Sequence, residues 1–337
     1  MKVHKLTELD KETFLFHQHP ASSIMHLPVI FIVGPTAVGK SRAALELAEG
    51  LHTELISADS RQVYRGMDIG TAKPEPSERA RVTHHLIDVV EPDQLFSAGR
   101  FRVMASDVIA KLHQQGRIPI VVGGTGLYVK LLTHGLWKGP QADWNLREQL
   151  RVEEAIQGFG HLHRRLRAVD PASAEKINPQ DKAKLIRAIE VYELTGRPLS
   201  ALHYEHQFRE RPYRTVTIGL RRSRPDLYRR IEERVDRMIK EGLVEEVRRL
   251  RAMGYSEDLP SMKGLGYRQM IGYLNGKYDL GEAVRLLKRD TKRYAKRQFT
   301  WFNRDPSIRW IDLPESDDWI ETFKKVHTLT LQEIRDG

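Results

Sequence analysis

Residues 29–47 read VIFIVGPTAVGKSRAALEL. Residues 29–33 are an unbroken apolar run of the length expected for a strand buried on both faces. The Ala-, Leu- and Glu-rich run after residue 40 has helical character. Between them, GPTAVGKS at 34–41 has the spacing G-x-x-x-x-G-K-[ST]. Its glycines allow a tight turn whose backbone N–H groups converge on a polyphosphate, and the helix N-terminus adds a positive dipole end. Gly34, Pro35, Thr36, Ala37, Val38, Gly39, Lys40 and Ser41 therefore form a candidate phosphate-binding loop. Lys40 supplies a point charge for phosphate oxygens and Ser41 a hydroxyl for Mg2+. The motif specifies a bound phosphate or diphosphate; it does not specify the molecule that carries it.

Around this stretch, 337 residues suggest about two domains, and 40% apolar residues allow a sizeable core. No apolar run approaches the roughly 20 residues of a membrane span. The absence of cysteine excludes disulfides, thiolate chemistry and Cys-ligated zinc, and fits a cytoplasmic protein. A net charge of +10 suits a polyanionic partner such as nucleic acid, or a basic surface with no partner. Residues 1–26 lack the apolar core of a signal peptide, and Glu8, Asp10 and Glu12 oppose a transit peptide. They read as a loosely held extension, with Met25 as an alternative start.

Downstream, 54–58 reads as a second strand opening into a loop at Asp59. In open parallel sheets functional groups collect at the carboxyl ends of strands, which puts Asp59 on the edge that carries the phosphate loop. Asp59 is open to three readings: an active-site carboxylate, a turn or helix-cap Asp, or an Mg2+-holding Asp. Ser60, Arg61 and Gln62 are hydrogen-bonding types suited to a polar edge. The segment 84–90, HHLIDVV, reads as a further strand; His84, His85 and Asp88 lack the usual zinc spacing and suit structural or lining roles. Residues 100–115 read as a helix. Then 118–132 repeats strand, glycine turn and helix, with Thr125 in a second small-residue loop.

From 137 to 208 helical periodicity takes over with no strand-like run, and the charge is mostly basic. Strand character returns at 215–220, followed directly by Arg221, Arg222 and Arg224, which suit bidentate phosphate contact or a salt-bridged helix start. In 288–302, Lys288, Lys292 and Lys296 recur at i, i+4, as do Arg289, Arg293 and Arg297. Like charges at this spacing repel, so a polyanion is a physical motive for the stripe. The fold class expected is α/β: a P-loop NTPase-like parallel sheet core flanked by helices, over 27–140 and 212–313, with an all-helical insertion at 141–211 and a tail helix in 314–337.

In order along residues 28–313, GPTAVGKS, ADSRQVY, GTAKP, HHLIDV, GGTGLY, RAIEVYELTG, GLGYRQM and AKRQFTWF together resemble the bacterial tRNA dimethylallyltransferases. The phosphate loop is shared with many families; DSRQVY, GGTGLY and the AKRQFTWF stretch are specific. The resemblance implies a cytoplasmic, monomeric enzyme with no membrane association. It implies transfer of a dimethylallyl group from dimethylallyl diphosphate to N6 of the adenine 3′ of the anticodon in a tRNA anticodon stem-loop. Mg2+ would sit at Ser41, and no ATP would be consumed. It assigns Asp59 as general base, Thr125 as a contact to the target nucleotide, and Arg224 with the phosphate loop to the leaving diphosphate. It implies a tRNA path lined by Asp59, Ser60, Arg61, Gln62, Thr125, Arg147, Ala183, Lys184, Leu185, Ile186 and Arg187. The path continues through Met262, Lys263, Gly264, Leu265, Gly266, Tyr267, Thr291, Lys292, Arg293, Lys296, Arg297 and Gln298. The adenine would be flipped out of its stack into the pocket. The chain departs from the family's pattern in its long N-terminal extension and in Ser41, where Thr is frequent.

Overall fold

The computed structural model of the chain describes residues 27–135, 139–206, 210–315 and 319–336. The segment 1–26, with Met25, lies outside them. Six strands, β1 (Val29–Val33), β2 (Leu55–Ser57), β3 (His84–His85), β4 (Ile120–Gly123), β5 (Thr215–Arg221) and β6 (Arg309–Asp312), form one sheet in the order β3-β2-β4-β1-β5-β6. Every neighbouring pair is parallel. β1 lies between β4 and β5, with Val33 opposite both Gly123 and Gly219. Alternate residues of β1 enter different cores, which is why the run had to be apolar throughout. Ile30 and Ile32 pack with Ala43, Ala44 and Leu47, while Val29, Phe31 and Val33 pack with Phe101, Ala105 and Ile109.

In chain order, α1 (Lys40–Gly50), α2 (Pro76–Arg81), α3 (Ala98–Gln114) and α4 (Gly126–His134) precede five helices of a separate region. These are α5 (Trp144–Gln157), α6 (His161–Val169), α7 (Pro171–Lys176), α8 (Lys182–Thr195) and α9 (Leu199–His206). After β5 come α10 (Arg224–Lys240), α11 (Leu243–Ala252), α12 (Tyr267–Leu274), α13 (Leu280–Phe302) and α14 (Trp319–Asp336). Two compact units result: the chain up to Thr133 together with the chain from Tyr213 onward, and His134–Pro212. The second unit has its own core, in which Leu150, Leu162, Leu166, Leu185, Ile186 and Ile189 meet.

Two elements differ from the sequence expectation. The strand expected over 84–90 is confined to His84–His85. Leu86 and Asp88 adopt φ of 63° and 56°, which turns the chain out of the sheet before Val90 rejoins Tyr64 in an isolated bridge. β6 was not expected at all: four residues, RWID, carry polar ends because the strand lies at the sheet edge.

Candidate active site

β1, β2, β4 and β5 deliver their following loops to one edge of the sheet. After Val33, Gly34 has φ of 140°, and a Cβ there would lie 2.5 Å from the Leu220 carbonyl oxygen of β5, so only glycine fits. The carbonyls of the loop are occupied by cations. Lys40 Nζ donates to the Pro35 carbonyl (2.7 Å), Arg230 Nε to that of Ala37 (3.3 Å) and Arg222 Nε to that of Val38 (3.1 Å). The Thr36 N–H is taken by Gln298 Oε1 (2.9 Å). The N-terminus of α1 has neither a side-chain cap nor an acidic residue in its first turn. Its amides are the orphan donors of a helix start, available to an anion.

Thr36, Ala37, Gly39 and Gln298 of this set line a cavity of about 990 Å3. Lys40, Ser41, Asp59, Gln62, Arg230 and Arg234 are in its wall. Burial first, and the neighbouring Arg234 second, lower the Lys40 pKa to about 7 against the opposing pull of Asp59. Burial raises the pKa values of Tyr128 and Tyr294, and Asp59 adds to the rise in each. One carboxylate, one lysine, one arginine and two phenols thus share a field. Asp59 Oδ1 accepts the Arg61 N–H (2.8 Å), and Thr125 Oγ1 accepts the Ser60 N–H (3.1 Å), which ties the β2 loop to the β4 loop. Gln298 on α13 spans the same gap from the other side, because its Nε2 donates to the Gly124 carbonyl (2.9 Å). Three loops are thereby held to one another around the Asp59 carboxylate.

Arg224 is exposed, donates to the Tyr228 hydroxyl (3.1 Å) and is absent from the cavity wall. It opens α10, and the helix returns to the cavity only further along, at Arg230, Arg234 and Arg237. The i, i+4, i+7 recurrence of these arginines in RRIEERVDR was the available signal. Arg234 also donates to Thr36 Oγ1 (3.2 Å). A second cavity of about 390 Å3, with Arg42 and Trp319 in its wall, shares Arg230, Arg234 and Arg237 with the first.

Of the positions expected on a tRNA path, Met262 and Tyr267 are buried in a core beside α11 and α13, with Gly264 and Gly266 also buried and Leu265 half-buried. Lys263 is exposed and pairs with Asp258 (3.2 Å). Arg61 reaches the Pro260 carbonyl (2.6 Å). Thr291 and Gln298 are buried. The basic stripe of α13 is partly matched by acids: Lys288 pairs with Asp236 (2.7 Å), Lys292 with Glu232, and Arg289 with Asp290 (2.9 Å). Arg293 lies 3.7 Å from Asp290, while Lys296 and Arg297 are exposed. In the second unit, Leu185 and Ile186 are core residues, Ala183 and Lys184 are exposed, and Lys184 pairs with Asp181 (2.5 Å). Arg147 and Arg187 both bind the buried Glu190 (2.7 and 2.6 Å). Asp88 is paired with Lys73 and Arg79, and His85 with Glu54. Among the described residues, no group of three His, Asp or Glu side chains forms a metal site.

Residues 62–305 match the family model described as IPP transferase. That span takes in Gln62 and Gln298 and begins after the phosphate loop. The chain is 51% identical over 292 residues to a tRNA dimethylallyltransferase of Geobacter metallireducens, covering 87% of this chain and 94% of that protein. It is 51% identical over 290 residues to one from Syntrophobacter fumaroxidans, covering 86% and 85%. The full-length tRNA isopentenylpyrophosphate transferase structure from Bacillus halodurans superposes with TM-score 0.69 at 40% identity, covering 92% of this chain and 97% of that one. A eukaryotic dimethylallyltransferase acting on tRNA superposes with TM-score 0.76 at 26% identity, over 90% and 78%.

Proposed function

The chain belongs to the IPP transferase family and is a prenyltransferase, and we propose that it moves a dimethylallyl group from dimethylallyl diphosphate to N6 of the adenine 3′-adjacent to a tRNA anticodon. The reading is supported by relatives named for this activity at about half identity. The observation that carries it is Asp59 sharing one cavity with Lys40 and an uncapped helix N-terminus. An exocyclic adenine amine is a weak nucleophile with a proton to lose. Asp59 takes that proton as the N6–carbon bond forms. The allylic carbon–oxygen bond breaks, and diphosphate leaves with the electron pair. Lys40, Arg230, Arg234 and the amides of α1 stabilise the charge that grows on it. Arg230 and Arg234 replace Arg224 in this role. Thr125 holds the Asp59 loop by its bond to Ser60.

Mg2+ fits the residues present through the exposed Ser41 hydroxyl and diphosphate oxygens, since Mg2+ typically uses few protein ligands and keeps waters. Bound there, it would neutralise diphosphate charge. The tRNA backbone is met by Arg293, Lys296 and Arg297 of α13. No described helix is long and apolar enough to cross a membrane, and in this proposal the enzyme acts as a cytoplasmic monomer.

Purified protein with labelled dimethylallyl diphosphate, Mg2+ and bulk tRNA, without ATP, should label tRNA. Mass spectrometry of the digested nucleosides should find an N6-dimethylallyl adenosine. Label on free AMP instead, or dependence on ATP hydrolysis, would overturn the acceptor or the donor respectively.

A further inference from the structure

Behind the wall of the main cavity, one carboxylate collects four donors. Glu246 on α11 is buried. Its Oε2 accepts the N–H groups of Asp68 and Ile69 (both 2.9 Å); its Oε1 accepts the Gly70 N–H (3.1 Å) and the Tyr267 hydroxyl (2.7 Å). Burial and then Glu246 itself raise the Tyr267 pKa well above the ordinary phenol, so its hydroxyl stays a donor. A Cβ on residue 70 would lie 2.6 Å from the Tyr267 ring, so only glycine lets the loop close over it. Three successive backbone N–H groups make a nest for an anion, and here the protein's own carboxylate fills it.

The segment held in this way lines the cavity through Asp68, Ile69, Thr71 and Ala72. Its carbonyls act on Gln62: Nε2 donates to Thr71 (3.4 Å) and Ala72 (3.1 Å), and Oε1 accepts from Ser57 Oγ (2.9 Å). A carbonyl can only accept, so the loop dictates which end of the Gln62 amide is the NH2. Gln62 lines the cavity three residues from Asp59; Glu246 and Tyr267 do not line it. We propose that Glu246, with Tyr267, is a positioning residue for the transfer reaction, fixing the Gln62 amide through residues 68–72 and so the presentation of the acceptor base to Asp59. This role rests on the acceptor proposed above.

Both oxygens of Glu246 face donors, so in Glu246→Gln the NH2 must oppose an N–H at one end or the other. Displacements of about 1 Å remote from the chemistry cost up to about 100-fold. We expect kcat/KM for tRNA to fall about 10–100-fold in Glu246→Gln and several-fold in the milder Tyr267→Phe, with the KM for dimethylallyl diphosphate within about 2-fold of wild type. In a Gln62→Ala background, Glu246→Gln should add less than about 2-fold, because the residue it acts through is gone. Without substrates, the amides of 68–70 should lose hydrogen-exchange protection in Glu246→Gln. Folded single variants with wild-type kcat/KM would overturn the role, as would a full Glu246→Gln loss in the Gln62→Ala background. Unchanged exchange at 68–70 would overturn the clamp. Wild-type protein inactive on tRNA would overturn the proposed function and this role with it, whereas active wild type beside an indifferent Glu246→Gln overturns this role alone.

Discussion

Lys40 is held as a destabilised cation until an anion arrives. Its pKa falls from 10.5 to about 7, by burial first and Arg234 second. Between those pH values the unfolded chain binds more protons than the folded one, so stability gains as pH rises through that window. The penalty is full below pH 7 and fades towards pH 10.5. Lys40→Met should therefore raise the melting temperature at pH 7, with the gap over wild type narrowing towards pH 10, while transfer is lost. Melts of both proteins across that range check this; a gap indifferent to pH would mean that the charge is not its source. Asp59 bears the opposite test. Asp59→Asn keeps the shape and loses the base, so single-turnover rate should fall about 10²–10⁴-fold with tRNA affinity little changed. A metal-holding Asp59 would give weakened diphosphate binding instead, partly rescued by high Mg2+.

Among the elements, α10 and α13 separate structural charge from charge left for a partner. Arg230, Arg234 and Arg237 line the cavity and Arg224 does not. Arg234→Ala should therefore lower kcat by at least about 10²-fold, the loss typical of removing a group that stabilises developing charge, with Arg224→Ala near wild type. Along α13, Lys288 and Lys292 are bound to Asp236 and Glu232 of α10. Repulsion along that part of the stripe is relieved by the protein itself. Neutralising Arg293, Lys296 and Arg297 should weaken tRNA binding and flatten its salt dependence by roughly 0.7–0.9 in slope per lost phosphate contact. Neutralising Lys288 and Lys292 should leave that slope unchanged; filter binding across a salt series distinguishes the two sets. The phosphate loop and the strand before it were legible because local pattern determines them: five apolar residues, then glycines at set spacing. Which arginine meets the ligand was not, because that depends on where a helix turns after it leaves the sheet. Glu246 was equally illegible: its four donors come from residues 68–70 and Tyr267, and only the tertiary fold brings them to one carboxylate.

At the scale of the whole molecule, a net charge of +10 is divided between two units that carry separate cores. The composition pointed to a polyanion without saying which cations would meet it. The family resemblance puts Arg147 and Arg187 on the tRNA path, and in the fold both pair with Glu190, which also accepts the Asp143 N–H (2.7 Å). Burial would raise the Glu190 pKa; the bonds from Arg147 and Arg187 outweigh it and hold the carboxylate below its ordinary range. A group lowered in the folded state contributes stability above its unfolded pKa and loses it as pH falls through the folded one. Arg147→Ala should accordingly cost about 1–3 kcal/mol near neutral pH, less than breaking a lone buried pair, since Arg187 remains. The deficit should shrink below about pH 4, where Glu190 protonates in the unfolded chain. Because the cores are separate, limited proteolysis of Arg147→Ala should cut first within His134–Pro212, while dimethylallyl diphosphate binding by the other unit persists. If Arg147→Ala instead keeps its protease resistance and loses only tRNA affinity, the ion pair is dispensable to the fold and Arg147 is a nucleic-acid contact after all.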